Sequence, residues 1–443
     1  MTIERNILLS RLIEAKHNGF VKILTGIRRC GKSFLLFNLF KRHLLEMGVP
    51  ASHILEINLE DEANERLTNP IELGTYIRTR LANDGQMNYV LIDEIQRCRK
   101  VLPEWVDLSR VHPDDREASY VTFYGVLGGL RSMPNVDVYV TGSNSRLLAS
   151  DVASEFRGRG QVIHVTPLSF GEFHAFCKGD ITIRDVLSEY MLYGGMPECV
   201  LQTTAAGKEL YLKNLYQTIY VRDIAERYKI KNGLLLETLI DVVMSNVGGL
   251  VNPTKLANAM TTVSKVHATQ PTVAKYLKML EDAFLVSKAS RFDIKGRRYL
   301  ESPSKYYASD TGLRNARINF RQFERSHLME NVIYCELLRR GYSVDVGIVD
   351  KGCNVAGKHE IRRYEVDFVV NRGTRQIYIQ SALSIPDEAK RTQETQSLKN
   401  TGDSFPKLVI TNDAHQERGY DNSGIAYMGL EDFLLDPASI ESF

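Results

Sequence analysis

A loop with two glycines, a lysine and a serine is the first stretch of this sequence whose residue types could do chemistry. Gly26, Gly31, Lys32 and Ser33 follow a short, mainly apolar segment at residues 21–25, with the spacing G-x-x-x-x-G-K-S. This spacing is typical of a phosphate-binding loop when a buried strand precedes it and a helix follows. The glycines let the backbone curl so that its N–H groups point at phosphate oxygens, and the helix contributes the positive end of its dipole.

The loop predicts a site for a nucleotide and a magnesium ion. Lys32 is expected to reach the β- and γ-phosphates, and the hydroxyl of Ser33 is expected to ligate Mg²⁺. A chance match in a glycine-containing turn is the alternative, and the flanking apolar segment and helix argue against it. The residues expected to contact the nucleotide are Gly26, Ile27, Arg28, Arg29, Cys30, Gly31, Lys32, Ser33 and Phe34.

Two carboxylates at the end of another apolar segment are the acids that such a loop requires. Asp93 and Glu94 follow the segment at residues 88–92. Asp93 is expected to hold Mg²⁺ through water or Ser33, and Glu94 is expected to orient and polarise the attacking water. Acids also end many strands without any catalytic role, but their position downstream of a phosphate loop favours the catalytic interpretation.

Two further positions are candidates for contact with the γ-phosphate. Asn144, with Ser143 as the second choice, follows a third apolar segment and could hold the γ-phosphate or the water, although an ordinary turn uses the same residue types. Arg157 or Arg159 could neutralise transition-state charge in the site of a neighbouring subunit. A solvated basic loop is an equally good interpretation of these two arginines.

Strands that alternate with helices must position these groups. Such alternation predicts a parallel sheet with ligands at the carboxyl ends of its strands. The expected strands are 21–25, 54–59, 88–94, 136–140 and 162–165, and the expected helices are 7–19, 34–46, 73–81 and 121–130.

Length and composition limit the class of protein. The chain has 443 residues, 43% of them hydrophobic and 25% charged, which is ordinary for a globular protein of about three domains. The net charge of +2 means that any DNA-binding surface must be a local patch. Six scattered cysteines without a C-x-x-C pair disfavour a zinc site or a disulfide framework and suit a reducing cytosol. We find neither a signal peptide nor a run of 18 apolar residues, so we expect a cytoplasmic protein without a membrane span.

Residues 234–300 have the pattern of a winged helix. Helices at 253–260 and 270–280 precede two possible strands, at 285–291 and 297–300, that could form a wing. A helix-turn-helix followed by a wing is a DNA-reading arrangement. A structural helical module that contacts protein is the alternative. The residues expected to contact DNA are Lys275, Lys278, Arg297 and Arg298.

The last third of the chain has the pattern of a metal-dependent nuclease site that lacks its lysine. Glu330 lies on an expected helix, Asp367 lies on an expected strand, and Gln380 lies on the next strand. Two acids could hold Mg²⁺, and Gln380 could offer a neutral carbonyl oxygen. Ala382 stands where a lysine would assist the water. We therefore expect weak cleavage or none, and a fold that is retained for binding.

Taken together, these motifs resemble the bacterial and archaeal AAA-type P-loop ATPases that carry a C-terminal domain of unknown function related to PD-(D/E)xK nucleases. The resemblance implies ATPase roles for Lys32, Ser33, Asp93 and Glu94. It also favours Asn144 as the sensor and Arg159 over Arg157. The stretches that carry it are 25–33, 92–96, 139–145, 158–159, 167–170, 193–197, 310–314, 330–331 and 365–368.

The expected fold class is α/β, and the expected function is that of a DNA-associated ATPase. We expect a P-loop AAA+-type parallel-sheet ATPase core at 1–180, a helical lid at 181–233, a winged-helix domain at 234–303 and a PD-(D/E)xK nuclease-like α/β domain at 304–443. ATP and Mg²⁺ would be the cofactors, and a homo-oligomer would couple ATP turnover to DNA binding or remodelling. An ATP-regulated nuclease and a nucleotide-gated switch that binds a protein partner are the alternatives.

Overall fold

The computed structural model describes residues 2–142, 158–177, 181–230, 232–262, 267–321, 323–355, 358–413, 418–441 and 443. The chain divides into two compact units, Met1–Thr166 and Pro167–Phe443. In the described part of the chain, no helix combines the length and the apolar character that crossing a membrane requires.

A five-stranded parallel sheet forms the centre of the first unit. Its strand order is β2-β3-β4-β1-β5, so β4 separates β1 from β3. The residues of β1, β3 and β4 are buried throughout, as expected for a parallel sheet that is covered on both faces. The strands are β1 (Val21–Thr25), β2 (Ile54–Asn58), β3 (Asn88–Asp93), β4 (Val136–Gly142) and β5 (Gly160–His164).

Helices of the first unit confirm the predicted alternation with strands. The helix after β1 runs from Lys32 to Glu46, and its middle turn, Leu35–Phe40, is a π-helix. The first helix ends at Glu14, earlier than the predicted residue 19. In the described part of this unit, the remaining α-helices are Pro70–Arg80 and Phe123–Arg131. Apolar side chains of these two helices pack against β3 and β4, which fixes the sheet whose ends carry the functional loops.

The second unit begins with helices. Ser169 starts the first of them with a capping box, in which its hydroxyl accepts from the N–H of Glu172 and the Glu172 carboxylate accepts from the N–H of Ser169. The helices are Phe170–Phe176, Ile183–Tyr193, Pro197–Val200, Ala205–Asn214, Leu215–Val221 (π), Arg222–Arg227, Gly233–Ser245, Pro253–Thr262, Gln270–Asp282, Thr311–Arg317, Arg325–Arg339, Glu388–Lys399 and Leu430–Leu435.

A nine-stranded mixed sheet forms the rest of the second unit. Its order is β13-β14-β12-β11-β10-β9-β7-β8-β6. The strands are β6 (Leu250–Val251), β7 (Val286–Asp293), β8 (Arg298–Ala308), β9 (Ser343–Val355), β10 (Lys358–Arg372), β11 (Arg375–Ala382), β12 (Lys407–Thr411), β13 (Gly419–Tyr420) and β14 (Ala426–Gly429).

The expected wing hairpin is part of this sheet. β7 and β8 pair antiparallel, and β7 also pairs in parallel with β9 over Arg291–Asp293. The boundary expected between residues 303 and 304 lies inside β8, and the boundary expected after residue 180 lies inside the second unit. A short sequence pattern marks a hairpin, but it does not show which further strand will pair with the hairpin's edge.

Candidate functional site

The loop after β1 has a backbone that requires glycine at two positions. Gly26 has φ 147° and Gly31 has φ 95°, both in the region that favours glycine. A Cβ on Gly26 would lie 2.0 Å from the carbonyl oxygen of Val165, so any larger residue would clash with backbone. The loop therefore lies directly against the segment that follows β5.

Arg5 anchors the same loop from the other end of the sequence. Its guanidinium is buried and donates to the carbonyl oxygens of Cys30 (3.2 Å) and Thr166 (2.8 Å). The thiol of Cys30 contacts the carbonyl oxygen of Val165 at 3.2 Å. These contacts hold the loop in shape without using the N–H groups that a phosphate would need.

Lys32 is buried at the start of the helix and faces back over the loop. Its ammonium donates to the carbonyl oxygens of Gly26 and Ile27, both at 3.1 Å. Only 5% of the residue is exposed. Because both of these hydrogen-bond acceptors are neutral carbonyls, an anionic phosphate would be a favourable partner for this ammonium.

The other predicted contact residues surround this centre. Ile27 and Cys30 are buried, Arg28 and Ser33 are half-buried, and Arg29 and Phe34 are exposed. Arg29 has φ 66°, so the loop leaves the usual backbone region at this non-glycine residue too. Arg28 lies 3.4 Å from the Glu60 carboxylate at the end of β2. Their contacts with a nucleotide stay predictions.

Asp93 and Glu94 end β3 in two different environments. Asp93 is almost fully buried and accepts a hydrogen bond from the hydroxyl of Thr141, at the end of the neighbouring strand β4. The same hydroxyl oxygen accepts from the N–H of Glu94 at 3.1 Å. Glu94 itself has the left-handed conformation, φ 54° and ψ 47°. Thr141 therefore links both acids, which sequence reasoning missed because it weighed only the residues after Gly142.

Burial raises the pKa of the Glu94 carboxyl above its ordinary value. The charges of Asp93 and Glu60 add to this rise, while the Lys32 ammonium opposes it. Gln96 donates its side-chain N–H to the Glu94 carboxylate. A raised pKa makes a carboxylate a better proton acceptor near neutral pH, which suits a residue that must activate water.

The donors present fit a magnesium ion. Ser33 lies in the first helical turn after the loop, and Asp93 presents a buried carboxylate at the same edge of the sheet. Hard oxygen donors of this kind are the ligands that Mg²⁺ prefers, together with water and substrate phosphates.

The sensor and the trans arginine stay predictions. Asn144 lies outside the described residues. Arg159 is exposed just before β5, and its carbonyl oxygen accepts from the N–H of Val21 at 3.2 Å. It therefore lies at the opposite end of β1 from the phosphate loop, about 16 Å along the strand. Such a position is compatible with action on a neighbouring subunit and not on its own loop.

Of the four residues predicted to contact DNA, two form ion pairs with acids and the other two are described by their exposure. Lys278 lies 3.1 Å from Asp282 and Arg298 lies 3.5 Å from Asp293, so acids partly neutralise both cations. Lys275 is exposed on the helix Gln270–Asp282, and Arg297 is exposed in the turn between β7 and β8.

The three predicted nuclease-type residues lie together in the second unit. Glu330 on the helix Arg325–Arg339 and Asp367 on β10 both face the ammonium of Lys305, at 2.8 and 3.9 Å. Glu365 on β10 also contacts Lys305, at 2.8 Å. The oxygen of Gln380 accepts from the N–H of Asp367 at 3.4 Å. We call Lys305, Glu330, Glu365 and Asp367 the carboxylate–lysine cluster.

A bulge in β10 aims Asp367 at this cluster. Val366 pairs with Gly347 and Val369 pairs with Asp345, so two residues of β10 oppose one residue of β9. The second carboxylate oxygen of Asp367 accepts from the N–H of Ser381 at 2.9 Å. Burial, with a contribution from the nearby negative charges, raises the pKa of Asp367 to about 8.

Lys305 corrects the expectation that no lysine accompanies these acids. Ala382 is buried on β11 and supplies no amine, as the sequence indicates. The amine comes instead from Lys305 on β8, a strand that begins in the expected wing and continues past the boundary expected between residues 303 and 304. In the sequence, Lys305 could have been recognised only as a charged residue directly before the apolar triplet 306–308 of a strand.

Comparison with known proteins gives the family. Residues 18–174 match the family described as AAA domain, and residues 184–324 match a domain of unknown function (DUF8612). The chain is 33% identical over 436 residues to an uncharacterized protein of Haemophilus influenzae, with 98% of each chain covered. The chain belongs to the same family as that protein. An uncharacterized protein of Methanocaldococcus jannaschii is 24% identical over 424 residues, which are 93% of this chain and 85% of the relative.

The AAA match spans both the phosphate loop and the two acids after β3. The match supports an AAA-type P-loop ATPase domain in this part of the chain. Among solved structures, the Walker-type ATPase of Pyrococcus abyssi is similar over 72% of this chain and 96% of its own, with 15% identity and a TM-score of 0.45.

Two glycine-containing motifs of the sequence meet in the second unit and have a structural role. The buried Asp310 carboxylate accepts from the N–H groups of Gly195 (2.7 Å) and Leu313 (3.0 Å). A Cβ on Gly312 would lie 1.9 Å from the carbonyl oxygen of Tyr193, so glycine permits this close approach. Burial raises the pKa of Asp310 to about 6.

Proposed function

We propose that this protein binds and hydrolyses ATP and couples the nucleotide cycle to DNA binding or remodelling. The observation that carries the proposal is the buried Lys32 ammonium, which donates to two loop carbonyls at the start of a helix. Asp93 and Glu94 follow at the end of β3. This combination supports nucleoside triphosphate hydrolysis because it provides a phosphate cradle, a metal ligand and a base.

Lys32 and the loop N–H groups would bind the phosphates. A β- or γ-phosphate would replace the carbonyls of Gly26 and Ile27 as partners of the Lys32 ammonium, so the positive charge is already in place before the nucleotide arrives. Pre-positioned charge lowers the reorganisation that phosphoryl transfer requires. Mg²⁺, held by Ser33 and Asp93, would neutralise charge on the β- and γ-phosphates.

Glu94 would orient the attacking water and accept its proton at a side-chain oxygen. Thr141 fixes the backbone of Glu94 and the carboxylate of Asp93 with one hydroxyl. Gln96 holds the Glu94 side chain. Both are positioning residues, since they act on the acids and not on the nucleotide.

Coupling to DNA rests on the helices Pro253–Thr262 and Gln270–Asp282 followed by the β7–β8 hairpin. This order of elements is the one that winged-helix readers use. Lys275 and Arg297 are exposed and would make the phosphate contacts, while the paired Lys278 and Arg298 would contribute less.

Glu94→Gln tests the hydrolysis step. We expect the rate of ATP hydrolysis to fall about 100-fold while ATP binding is retained, because the amide cannot accept the proton. Glu72→Gln, a change of the same type at an exposed position of the helix Pro70–Arg80, should leave the rate at the wild-type level. Hydrolysis at the wild-type rate in Glu94→Gln would show that the water-orienting role is misassigned.

DNA coupling is tested by the hydrolysis rate with single-stranded, duplex and branched DNA at low salt. We expect at least one DNA to stimulate the rate and Lys275→Glu/Arg297→Glu to lose this stimulation, whereas Lys399→Glu keeps it. No binding and no stimulation by any DNA would remove the DNA proposal. Capture of a protein by the ATP-loaded Glu94→Gln variant would then favour a protein-interaction switch.

Assembly is tested by the mass of the particle with and without ATP. We expect ATP to increase the mass, since Arg159 needs the site of a second copy to reach a phosphate. Arg159→Ala should then lower the hydrolysis rate of the assembled form. A monomer under both conditions would exclude the trans role of Arg159.

A further inference from the structure

The carboxylate–lysine cluster has an internal cation at its centre. The Lys305 ammonium lies 2.8 Å from both Glu330 and Glu365 and 3.9 Å from Asp367. Only 4% of Lys305 is exposed. Three carboxylates from two secondary-structure elements therefore converge on one amine.

The backbone of Lys305 is fixed on both sides. It pairs with Leu250 of β6 on one edge and with Ala289 of β7 on the other. A residue inside three paired strands cannot swing away without breaking ladder hydrogen bonds. The position from which the Lys305 side chain extends its ammonium is thus fixed by the sheet and not by a flexible loop.

One oxygen of Glu330 and the Asp367 oxygen that does not face the ammonium already have hydrogen-bond partners. One oxygen of Glu330 accepts from Lys305 at 2.8 Å and from the Tyr307 hydroxyl at 2.7 Å. One oxygen of Asp367 accepts from the N–H of Ser381. A Cβ on Gly248 would lie 3.3 Å from the Glu330 carboxylate, so backbone also covers it. A metal ion at the position of the ammonium would have to displace Lys305 and compete with the Tyr307 hydroxyl and the Ser381 N–H for the oxygens of Glu330 and Asp367.

The arrangement disagrees with a metal-dependent nuclease site. Among the described residues, no group of three or more histidine, cysteine, aspartate or glutamate side chains is arranged to hold a metal ion. A catalytic lysine would stand beside a metal, whereas Lys305 contacts the same carboxylates that a metal would need.

We propose that Lys305 takes the place of a divalent metal among Glu330, Glu365 and Asp367, so that the second unit holds a metal-free, closed cluster. The buried ammonium compensates the carboxylates and joins the helix Arg325–Arg339 to β8 and β10. The proposal is independent of the ATPase proposal, because all its residues lie in the second unit.

Binding of Mn²⁺ to the full-length, nucleotide-free protein tests the proposal, with the electron paramagnetic resonance signal of free Mn²⁺ as the readout. We expect wild type and Asp367→Asn to give the same titration up to millimolar Mn²⁺. Asp93→Asn is the matched control, since it identifies any Mn²⁺ bound at the phosphate loop. A wild-type site that Asp367→Asn abolishes and Asp93→Asn keeps would overturn the proposal.

Lys305→Met should convert the cluster into a metal site. Removal of the ammonium leaves three carboxylates of similar placement, so we expect one new Mn²⁺ site that fills at least about tenfold below the millimolar limit at which wild type shows none. Lys305→Arg keeps the charge and should gain no such site. A folded Lys305→Met variant without a new site would contradict the proposal, and if this variant does not fold, the wild-type titration decides.

Discussion

Each of the two units buries a lysine near acids, but the two lysines are satisfied differently. Lys32 donates to two backbone carbonyls at 3.1 Å, and in the described part of the chain no carboxylate lies within ion-pair distance of it. Lys305 contacts two carboxylates at 2.8 Å. A cation with neutral partners is available to an anionic ligand, whereas a cation with carboxylate partners is already neutralised.

The acids of the two units differ in the same way. Asp93 accepts from the neutral Thr141 hydroxyl and Glu94 accepts from the neutral Gln96 amide, while the Lys32 charge also acts on Glu94. Glu330 and Glu365 are held by an ammonium. Similar residue types thus give a site open to ligand in one unit and a closed structural cluster in the other.

The largest expected effect is on stability in Lys305→Met. Removal of one partner of a buried ion pair leaves uncompensated carboxylates, so we expect the free energy of unfolding to fall by about 3 to 5 kcal/mol. Urea unfolding measures it. Lys278→Met removes an exposed ion pair and should cost less than about 1 kcal/mol. Equal losses in the two variants would abolish the distinction between a closed cluster and a surface pair.

Lys32→Ala should lower the rate of ATP hydrolysis at least about 100-fold, or about 2.7 kcal/mol of transition-state stabilisation. The fold should persist, because among the described residues the hydrogen bonds of the ammonium go to its own loop. Steady-state phosphate release measures the rate. Lys41→Ala, on the same helix, should keep it. A stability loss as large as that of Lys305→Met would mean that Lys32 has a structural role too.

The buried Asp310 carboxylate accepts hydrogen bonds from neutral backbone N–H groups. Titration of this carboxylate should make the stability of the protein depend on pH. Its pKa is about 6 in the fold against an ordinary 3.8, so the folded state binds the proton more tightly. The contribution of the Asp310 carboxyl to the free energy of unfolding should therefore fall as the pH rises from 4 to 6, by about 3 kcal/mol at most. Above pH 6 this contribution should stay low.

Asp310→Asn removes this titration. The difference in unfolding free energy between wild type and Asp310→Asn should change between pH 4 and pH 7, whereas the exposed Asp432→Asn should follow wild type throughout. A constant difference between wild type and Asp310→Asn would show that the Asp310 carboxyl does not titrate in this range.

Thr141→Val should have the smallest effect, a fall in kcat of about tenfold with little change in KM for ATP, because it removes a positioning hydroxyl and keeps the shape. Thr141→Ser restores the hydroxyl and should recover most of the rate. A changed KM with an unchanged kcat would place Thr141 in nucleotide binding. Recovery by Thr141→Ser separates the hydrogen bond from packing.

The local sequence pattern predicted those parts of the structure that are determined by residues adjacent along the chain. The strand–loop–helix at 21–46 and the acids after β3 were predicted and are found, because glycine conformation, apolar runs and helix starts are properties of contiguous residues. Glu330, Asp367 and Gln380, which the sequence pattern assigned to one helix and two strands, lie close together in the structure, and their role as a degenerate nuclease site stays a prediction.

The sequence by itself determined which residues could bind phosphate and which acids could accompany them. Tertiary structure alone decided how each charge is compensated. Strand order places Thr141 between the loop and the acids, and a strand from a supposed wing brings Lys305 to Asp367. The physical reason is that these partners are far apart along the chain, and strand pairing, which no local pattern encodes, brings them together.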